Sequence, residues 1–141
     1  YFCTIYIIGM DILQWNVNGY FRRFENIKLL LNRLRPTCIC LQETNFTSDK
    51  CASLSEYEHF YKNRMQSSRA SGGVTIFIKP HTIPEEITLN TNLEAVAIKV
   101  KFPLPITLCN IYLPNSNPIN KQDLNDLVRQ LPSPFIILGD F

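Results

Sequence analysis

Phe135-Ile136-Ile137-Leu138-Gly139-Asp140-Phe141 is an apolar run that delivers a single carboxylate where it stops. It reads as a buried strand ending in a polar residue suited to a metal or a phosphate. The same pattern occurs three times earlier, in ILQWN at 12–16, CICLQE at 38–43 and TLCNIYLPN at 107–115. Four strand ends thus present Asn16, Glu43, Tyr112 with Asn115, and Asp140. Ligands of α/β sheets bind outside the carboxyl ends of strands, so four chemically apt residues at such ends point to one composite site.

The segments between these ends alternate in character. Residues 10–17 read as a strand, and Asn18-Gly19 turns the chain into a helix at about 21–34, where Phe24, Ile27, Leu31 and Leu34 recur at helical spacing. Pro36 ends it. Thr37 to Leu41 shows no polar alternation, which suits a central strand covered on both faces. The stretch 44–71 is polar and irregular, with Tyr57, Phe60 and Tyr61 marking a short strand before Gly72-Gly73 turns into VTIFIK at 74–79. At 94–101, Val96, Ile98 and Val100 alternate with Ala97, Lys99 and Lys101, the signature of a half-exposed strand. Asn117-Pro118 is placed as an N-cap and first helical residue, with Leu124, Leu127, Val128 and Leu131 forming one apolar face up to Pro132. One α/β unit spanning 10–141 is the economical reading, and residues 1–9 are expected to lie outside it as an N-terminal extension.

Composition bounds the function. With 141 residues, 45% hydrophobic and 18% charged, the chain has globular composition and enough length for a core. A net charge of +2 allows a nucleic-acid partner without demanding one, since strong electrostatic footprints usually carry a pI above about 9. Five cysteines without a C-x-x-C pair, three of them inside apolar strands, read as buried reduced thiols and an intracellular compartment. YFCTIYIIG at the start is nine residues long with no basic flank, too short for a membrane span and unlike a signal peptide, so no membrane is expected.

The strand ends carry the chemistry. A carboxylate as close to a core as Glu43 is costly unless it meets a cation or strong hydrogen bonds. Mg²⁺ answers that cost, because it takes one or two carboxylates and completes its shell with water and substrate phosphate. Asp140 could orient and deprotonate a water, Asn16 and Asn18 could fix a carboxylate or phosphate oxygen without adding charge, and Tyr112 could donate to a phosphate oxygen. Taken singly, each has an ordinary reading as a turn or strand-edge residue. Basic residues Arg22, Arg23, Lys28, Arg33 and Arg35 on the first helix, with Lys62, Arg64 and Arg69 in the long loop, could contact DNA phosphates or simply face solvent.

In order, QWNVNG at 14–19, LQET at 41–44, SGGVTIFIK at 71–79, NIYLPN at 110–115 and ILGDF at 137–141 resemble the successive motifs of the endonuclease/exonuclease/phosphatase superfamily. The closer resemblance is to the apurinic-endonuclease-like domain that opens the polyprotein of jockey-type non-LTR retrotransposons. It implies a four-layer α/β sandwich of which this chain supplies mainly the first half. It also implies hydrolysis of a DNA phosphodiester with Mg²⁺, Mn²⁺ being a substitute, to leave a 3′-hydroxyl that primes reverse transcription. By match to the family's motifs, Asn16, Tyr112 and Asp140 are the catalytic residues and Glu43 the metal ligand. Asn18 and Asn115 are phosphate-binding, with Arg64 and Arg69 candidates for DNA contact. The implied partners are target DNA, the element's RNA and the reverse transcriptase domain of the parent polyprotein, with action in the nucleus.

The departures from the family pattern are informative. Cellular repair members carry Asp where Asn18 stands and often Lys where Asn45 stands, which favours the retroelement branch. The family's G-D-x-N motif calls for an Asn after Phe141, and its later Asp and His have no counterpart in this sequence. His59 and His81 sit in the wrong context for that role and read as ordinary surface or loop histidines. The 141 residues alone are therefore expected to be inactive. The alternatives are another phosphohydrolase on the same scaffold, cleaving a lipid or inositol phosphate, and a non-functional remnant of a mobile element.

Overall fold

The computed structural model describes residues 2–64, 69–116 and 118–141. Nine strands and two helices follow in mixed order: β1 (Phe2–Ile7), β2 (Met10–Asn16), α1 (Phe24–Leu34), β3 (Cys38–Gln42), β4 (Glu58–Lys62), β5 (Val74–Ile78), β6 (Glu85–Ile87), β7 (Glu94–Val100), β8 (Ile106–Tyr112), α2 (Lys121–Arg129) and β9 (Phe135–Asp140). They form a five-stranded sheet, β1-β2-β3-β5-β4, and a four-stranded sheet, β6-β7-β8-β9. Among the described residues, only β2 with β3 and β8 with β9 run parallel. Each parallel pair brings two carboxyl ends side by side.

The layers follow from which faces are apolar. Ile12, Cys38, Cys40, Ile76 and Ile78 of the first sheet pack against Val96, Ile98, Val100, Leu108 and Leu138 of the second. The outer face of the first sheet, with Leu13, Ile39, Leu41 and Phe77, is covered by Ile27 and its neighbours on α1. The outer face of the second, with Ala95, Ala97, Cys109 and Ile111, is covered by Leu127 of α2 and by Leu131. Helix, sheet, sheet and helix make the four-layer α/β sandwich that the motif resemblance implies. At roughly 25 cal/mol per Å² of apolar surface removed from water, three such contacts dominate the stability of a chain this size. Among the described residues no helix is long and apolar enough to cross a membrane.

Several local expectations need correction. Phe2–Ile7 pairs antiparallel with Met10–Trp15 of β2 as an edge strand, joined to it by a tight turn at Ile8-Gly9. β7 is buried on both faces from Ala95 to Ile98 and at Val100, not half-exposed, because its outward residues Ala95 and Ala97 are small and lie beneath α2. α2 begins at Lys121 with Asn120 as its N-cap, whose side chain accepts from the Gln122 N–H at 2.9 Å. Pro118 lies outside the helix, and Asn117 falls outside the described residues. α1 is preceded by a 3-10 turn at Phe21–Arg23 and closes on Arg35 in the left-handed region, followed by Pro36 as expected.

Candidate active site

The four apt strand ends meet on one rim. Asn16 closes β2, Glu43 follows β3, Tyr112 closes β8 and Asp140 closes β9. Parallel register sets Asn16 beside Gln42 and Tyr112 beside Asp140. Packing of the two sheets then brings the pairs together. Asn16 Nδ2 donates to Glu43 Oε1 at 2.9 Å and to Asp140 Oδ2 at 2.6 Å. Its carbonyl oxygen accepts from the backbone N–H of Asn18 at 3.1 Å, which fixes the amide with its nitrogen toward the carboxylates. Asn18 thus acts here through its backbone, while its side chain is exposed.

Glu43 adopts φ +51°, a left-handed conformation that costs a non-glycine residue about 1–3 kcal/mol. The surrounding backbone holds it there. Glu43 and Thr44 carbonyls accept from Gly19 and Tyr20, and the N–H groups of Thr44 and Asn45 donate to Gly73 and Gly72. The resulting turn aims the Glu43 carboxylate back over the strand ends. Gly139 has a separate requirement: a Cβ there would fall on the carbonyl of Ile111 in the neighbouring strand. The backbone of β9 passes closely against β8 at this glycine.

Tyr112 is half-buried beside Glu43. Burial first, and then the neighbouring Glu43 carboxylate as acceptor and charge, push its phenol up to about 12, so it is a proton donor throughout the neutral range. Arg64 lies 5.9 Å from the centre of the Tyr112 ring and is ion-paired to Glu94 at 2.5 Å. Glu94 also accepts from the Gly73 N–H at 2.6 Å. Arg64 is therefore folded against the site wall, while Arg69 and Asn115 are exposed beyond it, Asn115 in the turn after β8.

The oxygen donors at this rim suit a hard cation. Two carboxylates, an amide and a phenol converge, and among the described residues no group of three or more His, Cys, Asp or Glu could hold a metal by itself. Mg²⁺ needs no such cage, since water and substrate phosphate complete its shell. His59 is not a surface histidine: it lies half-buried in β4, stacked on Phe77 at 4.2 Å, and contacts Thr75. His81 is exposed, as expected.

Sequence reasoning assigned no role to Gln14, Gln42, Asn110 or Glu94. Gln42 Nε2 donates to Asn110 Oδ1 at 2.6 Å, and Gln14 Nε2 donates to Gln42 Oε1 at 2.7 Å. For the three amides the signal was their place inside largely apolar strands, where buried polar side chains persist only when bonded.

Three comparisons with known proteins agree with this geometry. Residues 13–141 match the profile of the Endonuclease/Exonuclease/phosphatase family. Over 136 residues, 94% of the chain, it is 21% identical to a Drosophila melanogaster protein described as a probable RNA-directed DNA polymerase from transposon BS. Over 79 residues, 54% of the chain, it is 34% identical to the DNA-(apurinic or apyrimidinic site) endonuclease 2 of Xenopus laevis. The aligned part is 15% of each of those relatives. Among solved structures, a 3′-5′ exonuclease from Neisseria meningitidis superposes with TM-score 0.71 at 19% identity, covering 92% of this chain and 57% of that one. An AP endonuclease from Archaeoglobus fulgidus gives TM-score 0.61 at 20% identity, covering 92% and 56%. The profile match covers most of the chain and all four strand ends, and the chain belongs to the endonuclease/exonuclease/phosphatase family.

Proposed function

We propose that this chain belongs to a metal-dependent endonuclease domain that nicks DNA to prime retrotransposition. The observation that carries the reading is the Asn16 amide bridging Glu43 and Asp140, with Tyr112 against Glu43. The likeness to a transposon polymerase over nearly the whole chain supports a polyprotein context. Asn18 and Asn45, where repair members carry Asp and Lys, support the same branch.

In this reading the scissile phosphate sits over the rim. Asp140, exposed at the end of β9, orients a water and takes its proton as the water oxygen attacks phosphorus. The bond to the 3′ oxygen breaks, that oxygen takes a proton from solvent, and a 3′-hydroxyl and a 5′-phosphate remain. Tyr112, kept protonated, donates to a non-bridging oxygen as charge builds there. Asn16 keeps both carboxylates in place, and Asn18 and Asn115 take phosphate oxygens in the role their match to the family motifs implies. A Mg²⁺ or Mn²⁺ held by Glu43 would supply charge neutralisation at phosphate and leaving oxygen. Arg64 and Arg69 border the path of the DNA. Target DNA, the element's RNA and a reverse transcriptase domain are the partners, and the nucleus is the site of action.

The test uses the chain extended to the length of its solved relatives. It should nick supercoiled plasmid in Mg²⁺ and leave phospholipids and inositol phosphates intact. The reverse selectivity would assign the site to a lipid or inositol phosphohydrolase, and inactivity on every substrate would mark a remnant.

A further inference from the structure

Among the described residues the two sheets share no strand, so the distance between the β2–β3 ends and the β8–β9 ends is set chiefly by packing and by side-chain bonds. Hydrophobic packing is non-directional and tolerates sliding of one face over another. A site built from both sheets needs a directional tie. Directly beneath the rim a chain of amides crosses the gap. Gln14 of β2 donates to Gln42 of β3 at 2.7 Å and to the Gly139 carbonyl of β9 at 3.4 Å. Gln42 donates to Asn110 of β8 at 2.6 Å, and Asn110 donates to the carbonyls of Leu41 at 2.9 Å and Thr75 at 2.8 Å.

Each member stands one or two residues before a group of the site. Gln14 precedes Asn16 on the same side of β2, and Asn110 precedes Tyr112 on the same side of β8. Gln42 and Gly139 immediately precede Glu43 and Asp140. Gln42 and Asn110 are fully buried, in strands made mostly of Ile, Leu and Cys. Apolar residues of similar volume could fill that space but would make no directional bond across the gap. The bonds of the amides specify one offset between the sheets.

We infer that Gln14, Gln42 and Asn110 are positioning residues, whose linked amides hold Asn16 and Glu43 of one sheet in register with Tyr112 and Asp140 of the other. The role rests on the phosphodiester reading above, but the geometry is testable without it. No metal or DNA enters the measurement, so a protein that keeps this register and cleaves nothing would refute the activity alone.

The experiment follows the side-chain amide protons of Asn16 by ¹⁵N-resolved NMR in the 141-residue chain. In the unaltered chain the Asn16 protons should be slowed in exchange by their two carboxylate acceptors, and those of Gln42 and Asn110 should exchange only through global unfolding. In Gln42→Met and Gln14→Met the Asn16 protons should exchange about tenfold faster or more, while unfolding stays cooperative. Ile76→Val, a buried substitution outside the amide chain, should lower stability and leave the Asn16 protons unchanged. Unchanged Asn16 protons in the folded Gln variants would reduce the amides to core filling and overturn the inference. If Gln42→Met fails to fold, the half-buried Gln14 position decides. Fast exchange of the Gln42 and Asn110 amides in the unaltered chain would overturn it with no variant at all.

Discussion

Asn16 Nδ2 lies 2.6 Å from Asp140 Oδ2, a hydrogen bond between the last residues of strands belonging to different sheets. It ties a neutral donor to the carboxylate assigned to the water, 124 residues away in sequence. Asn16→Asp would place a third carboxylate between Glu43 and Asp140 and remove the shared donor. Like charges at this distance repel, so Asp140 should turn outward. The expected outcome in the extended domain is a fall in kcat of about a hundredfold or more, with Mn²⁺ affinity kept or raised. Asn16→Ala should lose a similar share of kcat and gain no metal affinity. A variant carrying Asp at 16 with unimpaired kcat would show that the amide bridge has no part in the chemistry.

Glu43 is the carboxylate assigned to the metal. In the extended domain, isothermal titration with Mg²⁺ or Mn²⁺ should show binding that Glu43→Gln reduces at least about tenfold, since the amide keeps the shape and loses the charge. The thermal stability of the metal-free variant should hardly change, or rise slightly, because a half-buried charge is removed from the rim. Equal binding by the two proteins would take Glu43 out of the site.

Much of this was legible because strand ends and turns are written locally. The apolar runs at 38–42, 74–78 and 135–139 each form a strand, and all four polar end residues converge on one rim. What escaped depends on partners far away in sequence. β7 reads as half-exposed because alternating Ala and Lys look polar-facing, and only the cover of α2 makes its alanines interior. β6 is three residues long with Glu85 and Glu86 exposed, too short to leave a pattern. The N-cap of α2 is Asn120, and nothing local distinguishes it from an Asn three residues earlier followed by Pro. Gln42 and Asn110 sit inside quoted motifs, yet their bond joins residues 68 apart, and Arg64 meets Glu94 across 30.

Gly139 offers a stability test of the β8–β9 register. Gly139→Ala would set a methyl against the Ile111 carbonyl, a backbone atom that cannot rotate away. The strands must separate or β9 must shift, and overpacking against backbone costs about 3 kcal/mol or more. Urea denaturation should show that loss, with Asp140 displaced and nicking by the extended domain abolished. An alanine at 139 with native stability would mean that β9 does not lie where its pairing with β8 puts it.

His59 makes acid stability the last measurable consequence. Its ring is stacked on Phe77 at 4.2 Å and on Tyr61 at 4.6 Å, with Cys51 3.7 Å from Nδ1 and Thr75 at the other nitrogen. Burial favours the neutral ring and lowers its ionisation from 6.5 to about 4. Between those values the unfolded chain binds a proton that the folded chain refuses, so stability rises with pH there. The contribution is fully present above 6.5 and is lost as pH falls through 4. Its size is on the order of 2 kcal/mol after allowance for partial solvation. His59→Phe should keep the stack, remove the Thr75 and Cys51 contacts, and flatten the pH dependence of urea midpoints between pH 6.5 and 4. The unaltered chain should lose stability across that window. Equal slopes in the two proteins would show that the imidazole is charged in the folded state and that the stack does not exclude its proton.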